Sequence, residues 1–84
     1  MSAETAPVSG LIDYFVRNLV DDESAVDVSE VVNGTAVTVE VRVAQPDLGK
    51  VIGKQGRIAN ALRSVAKASA AKNGQRISVE IIAD

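Results

Sequence analysis

The sequence predicts a two-layer α+β domain with the element order α-β-β-α-α-β and a three-stranded sheet covered by helices. Three observations predict it. Apolar residues recur at helical spacing near the start of the chain, valines alternate with polar residues around a turn signal in the middle, and two glycines spaced three apart separate two helical patterns in the second half.

The first helix is read from Val8, Leu11, Ile12, Phe15, Val16, Leu19 and Val20, which fall on one stripe and are assigned to the core. Pro7 suits its first turn, Gly10 weakens its start by roughly 1 kcal/mol relative to Ala, and the run Asp21-Asp22-Glu23 ends it. Met1 to Ala6 is expected to be a flexible tail, leaving residues 7–84 as one domain.

A hairpin follows. Val37, Val39, Val41 and Val43 alternate with Thr38, Glu40 and Arg42, the pattern of a half-buried strand. Asn33-Gly34 is the preferred pair for a type I′ turn. With those two residues as the loop, Val32 faces Thr35, Val28 faces Val39 and Val26 faces Val41, so Val26 and Val28 join the core. Glu30 then falls opposite Val37, while Ser29–Thr38 and the repulsive pair Asp27–Glu40 lie outside.

Gln45-Pro46-Asp47 opens a short helix, with Leu48, Val51 and Ile52 apolar and Gly53 as its end. The next helix is expected from about Arg57 to Lys72, with Ile58, Leu62, Val65 and Ser69 as its inner stripe, Ala61 and Ala66 beside it, and Arg63 and Lys67 outward. Asn73-Gly74 is a C-terminal cap signal, and Ile77, Val79 and Ile81 alternate with Ser78 and Glu80 in a third strand.

The glycine junction carries the chemistry. Val51-Ile52-Gly53-Lys54-Gln55-Gly56-Arg57-Ile58 brings two conformationally free residues, a lysine and a helix N-terminus to one place, a combination that suits a phosphate. It is not a Walker A loop, because three residues separate Gly49 from Gly53 and Gln55 follows Lys54. It is not a dinucleotide fingerprint, because Val51 stands where the first glycine is needed. The remaining reading is a G-x-x-G between two helices, which serves either as a plain helix connection or as a clamp on a nucleic-acid backbone.

Charge distribution favours the clamp. The chain of 84 residues has a net charge of −2, yet no acid occurs from Leu48 to Val79, a span holding Lys50, Lys54, Arg57, Arg63, Lys67, Lys72 and Arg76. In this reading Gly53 and Gly56 admit the backbone, Lys54 adds a charge, the N–H groups near Arg57 and Ile58 donate to a phosphate oxygen, Lys50 and Arg57 neutralise neighbouring phosphates, and Arg63 is a more distant RNA-binding candidate. Gln55 contacts sugar or phosphate, or faces solvent. Val51, Ile52 and Ile58 form either an apolar floor for bases or simply core. Tyr14 and Phe15 are the only aromatics, so there is no base-stacking platform in the basic half.

Composition also bounds the alternatives. The chain has no Cys and no His, and the basic half has no carboxylate, so disulfides, a metal centre and the usual acid–base or nucleophilic catalysts are not expected. No enzyme and no cofactor are expected. No basic leader with an apolar run precedes the domain and no stretch reaches membrane-spanning length, so a cytoplasmic protein without membrane contact is expected.

The stretch Leu48-Gly49-Lys50-Val51-Ile52-Gly53-Lys54-Gln55-Gly56-Arg57-Ile58-Ala59, placed in this element order, resembles the small bacterial KH-domain proteins of the KhpA type. The resemblance runs from about Leu11 to the C-terminus and implies a type II KH domain. It also implies an RNA chaperone-like protein that binds single-stranded RNA, pairs with a larger KH protein of the KhpB (Jag) type, self-associates, and acts in cell elongation and division. The alternative function is a protein-interaction or dimerisation module that uses the glycine turn as its contact.

Overall fold

The computed structural model describes residues 8–83. The expected tail over residues 1–6, the placement of Pro7 and the last residue of the domain lie outside the described residues. Helix α1 (Val8–Arg17) is followed by strands β1 (Asp27–Asn33) and β2 (Ala36–Val43), helices α2 (Leu48–Ile52) and α3 (Arg57–Lys72), and strand β3 (Arg76–Ala83). The sheet order is β1-β2-β3, with β1 antiparallel and β3 parallel to the central β2. The helices cover one face, which gives the two-layer α+β architecture of a type II KH domain.

The core is valine-rich because β2 alternates. Val37, Val39, Val41 and Val43 are all buried on the helix side, joined by Ile12, Val16, Val26, Val51, Leu62, Ala66 and Val79. Each branched side chain suits the pleat and packs against the next strand.

The hairpin register differs by two residues from expectation. Asn33 pairs with Ala36, Val32 with Val37, Val28 with Val41 and Glu30 with Val39. The loop is Gly34-Thr35, and of these only Gly34 has a positive φ, +65°. That is the φ signature of a type II′ turn with Gly first, whereas type I′ needs positive φ at both central residues. Side-chain faces survive because the shift is even. Electrostatics favour the observed pairing: Asp27 now faces Arg42, and Ser29 faces Glu40, so the repulsive Asp27–Glu40 pair is gone.

Two helical stripes also differ. The α-helix of α1 stops at Arg17, and the chain continues in turns with Leu19 and Val20 donating to the Val16 carbonyl. It buries Ile12 and Val16 but leaves Leu11 and Phe15 56% and 45% exposed, because its apolar arc is wider than the strip one helix can press onto the sheet. On α3 the inward residues are Ala59, Leu62, Ala66 and Ala70, not the expected Ile58-Leu62-Val65-Ser69 stripe. Small residues face a sheet already filled by valines, Ala61 is exposed, and Val65 is turned out to 47% exposure. The C-terminus of α3 is as its signal predicts. Gln75 N–H bonds to the Ala70 carbonyl at 3.0 Å and Gly74 N–H to that of Ala71 at 3.2 Å, with Gly74 at φ +68°, a Schellman cap.

Candidate nucleic-acid interface

Helix α2 is five residues long, too short to hold itself. Fully buried Val51 and half-buried Leu48 pin it to the core. The Gly53 N–H closes it on the Gly49 carbonyl at 2.9 Å, and the chain then turns sharply.

The turn is built almost wholly from left-handed backbone. Gly53 lies at φ +79°, ψ 173°, a region open essentially to glycine alone. Gln55 follows at φ +56° and Gly56 at φ +75°. The two glycines differ in their surroundings. A Cβ at Gly53 would sit 2.7 Å from Ile58 Cγ1, whereas one at Gly56 would meet only Asn60 Nδ2 at 3.9 Å. Gly53 is thus required by both sterics and dihedral angles, and Gly56 by dihedral angles.

Lys54, Gln55 and Arg57 are exposed around this turn, and Gly56 opens α3 without a side-chain cap. Of the two N–H groups expected to donate there, that of Arg57 is already bonded to the Lys54 carbonyl. Ile58 is half-buried with its side chain against Gly53, Val51 belongs wholly to the core, and Ile52 is 36% exposed beside the turn. Arg63 is exposed six residues along α3, about 9 Å from Arg57 at 1.5 Å per residue. It lines a groove of about 180 Å³ between α3 and β3 together with Lys67, Ile77, Ser78 and Val79.

Lys50 stands apart. Its ammonium is hydrogen-bonded to Asp21 Oδ2 and lies 3.4 Å from Asp47 Oδ1. These contacts, with that to Asp21 foremost, hold the Lys50 pKa above its ordinary 10.5. Asp47 is buried, and its two carboxylate oxygens accept the N–H groups of Asp21 at 3.2 Å and Asp22 at 3.1 Å. The Asp22 N–H, with those of Asp21 and Lys50, holds the Asp47 carboxyl below its usual 3.8 against the opposing effect of burial. In the sequence Asp47 reads only as an acid favourable to a helix start. Its partners are 25 and 26 residues away, and no local signal announces them.

The glycine turn thus joins two helices beside a basic helix face, and the KhpA/KhpB KH-domain model matches residues 9–81. The chain belongs to the KhpA/KhpB KH-domain family. It is 50% identical over 72 residues to the RNA-binding protein KhpA of Clostridium acetobutylicum, covering 86% of this chain and 96% of that one. It is 47% identical to RNA-binding protein KhpA of Caldanaerobacter subterraneus subsp. tengcongensis, with the same coverage. The KhpA of Borreliella burgdorferi, also named as RNA-binding, is 42% identical over 86% of this chain and 88% of its own length. Among the described residues of this KH-family chain, no helix is long and apolar enough to cross a membrane and no group of His, Cys, Asp and Glu is placed to hold a metal.

Proposed function

We propose that this chain binds single-stranded RNA, with the Gly53-Lys54-Gln55-Gly56 turn clamping the sugar–phosphate backbone and the exposed cations of α3 following the strand. The observation that carries the reading is the turn itself. Three of its four residues have positive φ, two of them are glycines without a side chain, and it opens directly onto a helix N-terminus without a side-chain cap. The names of the KhpA relatives support RNA as the partner. Lys54 and Arg57 contact the phosphates at the turn, and Arg63 and Lys67 continue the track along the α3–β3 groove. Ile52 gives a base an apolar edge, while Val51 and Ile58 act from beneath by holding the turn in shape. Lys50, with its ammonium engaged by two carboxylates, is left out of the phosphate contacts.

With aliphatic contacts, no aromatic platform and a footprint of about four nucleotides, such a clamp grips weakly and with little sequence preference, as an RNA chaperone-like role requires. Titration of the chain with short single-stranded RNA over a range of salt concentrations tests the reading. The affinity falls steeply with salt if phosphates are bound, and a flat profile refutes it.

A second reading has its own observation. Ile52 and Val65 are exposed apolar residues on α2 and α3, outside the core. They are suited to pairing with a second KH domain, either another copy or a larger protein of the KhpB (Jag) type. Sedimentation of the chain alone and with such a partner tests it, and a monomer in both cases removes it.

A further inference from the structure

We propose that Asp47 is the positioning residue of the clamp and Lys50 its strut, so that this pair serves RNA binding by fixing where Gly53 stands and not by touching RNA. The proposal rests on the clamp reading above.

The argument starts from the shortness of α2. Five residues give little more than one turn, so its direction must come from tertiary contacts. Leu48 and Val51 supply apolar pins along one side of it. Apolar contacts along one side locate a short helix but leave it free to tilt about that side, and any tilt swings Gly53 at its C-terminal end. Asp47 supplies a directional polar pin at the other end. Its carboxylate straddles the connection between α1 and β1, taking the Asp21 N–H on one oxygen and the Asp22 N–H on the other. Lys50, one turn along α2, reaches the side chain of Asp21 on the same connection and Asp47 Oδ1 as well.

The connection is itself held. Arg17 donates from Nη1 to the Glu23 carbonyl at 3.0 Å and from Nη2 to the Val26 carbonyl at 3.2 Å, and its Nε is fixed by Asp13 Oδ1 at 3.0 Å. Hydrogen bonds therefore tie α1 to the connection, and the connection to Asp47 and Lys50 at α2, whose C-terminus leads into Gly53. None of these hydrogen-bonded residues is in the glycine turn.

The test uses the full chain and a fluorescein-labelled single-stranded decamer RNA of randomised sequence. Affinity is measured against salt, with amide NMR spectra of the free protein alongside. Asp47→Asn keeps the shape but loses the charge and one of the two acceptors for the Asp21 and Asp22 N–H groups. It is expected to shift the amide resonances of Gly53 and Gly56 as well as those of Asp21 and Asp22. It should raise Kd about fivefold or more, the usual size of coupling between sites, with the salt slope unchanged. Lys50→Gln, at a half-exposed position that keeps the fold, is expected to do the same and carries the test if Asp47→Asn does not fold. Lys54→Gln, by contrast, should reduce the slope by about 0.7, the share of one phosphate on a single strand.

If Asp47→Asn and Lys50→Gln keep the wild-type Kd and Gly53 resonance while Lys54→Gln loses slope, the positioning role is overturned and the clamp stands. A Lys50→Gln slope lower by about 0.7 makes Lys50 a phosphate ligand and overturns its role as a strut. Wild-type Kd and slope in Lys54→Gln remove the clamp, and the proposal with it.

Discussion

Ile58 lies against the face of Gly53 that any side chain would have to occupy, with its Cγ1 2.7 Å and its Cβ 3.0 Å from an ideal Cβ position. The contact joins the end of α2 to the first turn of α3 and explains why the glycine that opens the turn is sterically required.

Gly53→Ala is therefore expected to be costly, combining a backbone penalty of roughly 1–3 kcal/mol in this glycine-only region with the clash. Ile58→Ala removes Cγ1 and Cδ1 and costs stability of its own. Combined, the two changes should cost less than their sum, with a coupling of about 0.5 kcal/mol or more. Chemical denaturation of the four proteins of the cycle checks this, and strict additivity would show that the contact constrains nothing.

How much of this was legible in the sequence depended on how local the cause was. Helix α3 begins at Arg57 and ends at Lys72 as read, because Gly56 and Asn73-Gly74 mark its ends within a few residues. The faces of the β2 valines were legible from alternation alone, but their partners were not. Gly34 fits the loop as its first or second residue, and both registers bury the same valines. The exposure of Leu11, Phe15 and Val65 depends on how much helix surface a three-stranded sheet can cover, which no single stripe states. Asp47 was least legible, since its partners are brought to it only by the fold.

Gln55 occupies the left-handed region at φ +56°, where a residue with a Cβ pays a penalty that glycine and, in part, asparagine escape. Gln55→Gly is expected to stabilise the chain by up to about 1 kcal/mol, or roughly 4–8 °C in Tm. Thermal melting by circular dichroism measures it. A lower Tm for both Gln55→Gly and Gln55→Asn would mean that the glutamine side chain holds the turn.

The Asp47 carboxyl is depressed below 3.8 in the folded chain, so its charged form favours folding. That contribution is complete above the unfolded value near 3.8 and is lost as pH falls through the lower folded value. Asp47→Asn should melt several degrees below wild type at neutral pH, and the gap should close in acid below 3.8. Lys50, raised above 10.5, acts in the opposite limb: its contribution is complete below that value and is lost as pH rises beyond it. Melting curves of wild type, Asp47→Asn and Lys50→Gln across both limbs separate the two, and a gap independent of pH would rule out a charge effect.

Gly34 is the first residue of the hairpin loop and has φ +65° with open space around its Cβ position. Gly34→Val should cost roughly 1–2 kcal/mol through the backbone alone, because a β-branched residue is especially disfavoured there. Gly34→Asn should cost less, since asparagine tolerates positive φ. Equal losses in the two variants would place the cost in side-chain packing and not in the turn.

The clamp reading makes its sharpest prediction at the two residues between its glycines. Lys54 and Gln55 are both exposed, so changing both to Asp alters the charge of the turn without touching the core. Aspartate tolerates the left-handed backbone at Gln55, and acids near the start of α3 suit its dipole, so the fold and Tm should be kept. Two negative charges would then stand where phosphate must lie. With roughly two to four phosphates neutralised, wild-type log K should fall against log salt with a slope of about −1.5 to −3. The double variant should bind single-stranded RNA far more weakly at every salt concentration. Wild-type affinity and slope in a folded double variant would assign the glycine turn to helix connection or protein contact, and would move RNA binding, if any, to Arg63 and Lys67 along the groove.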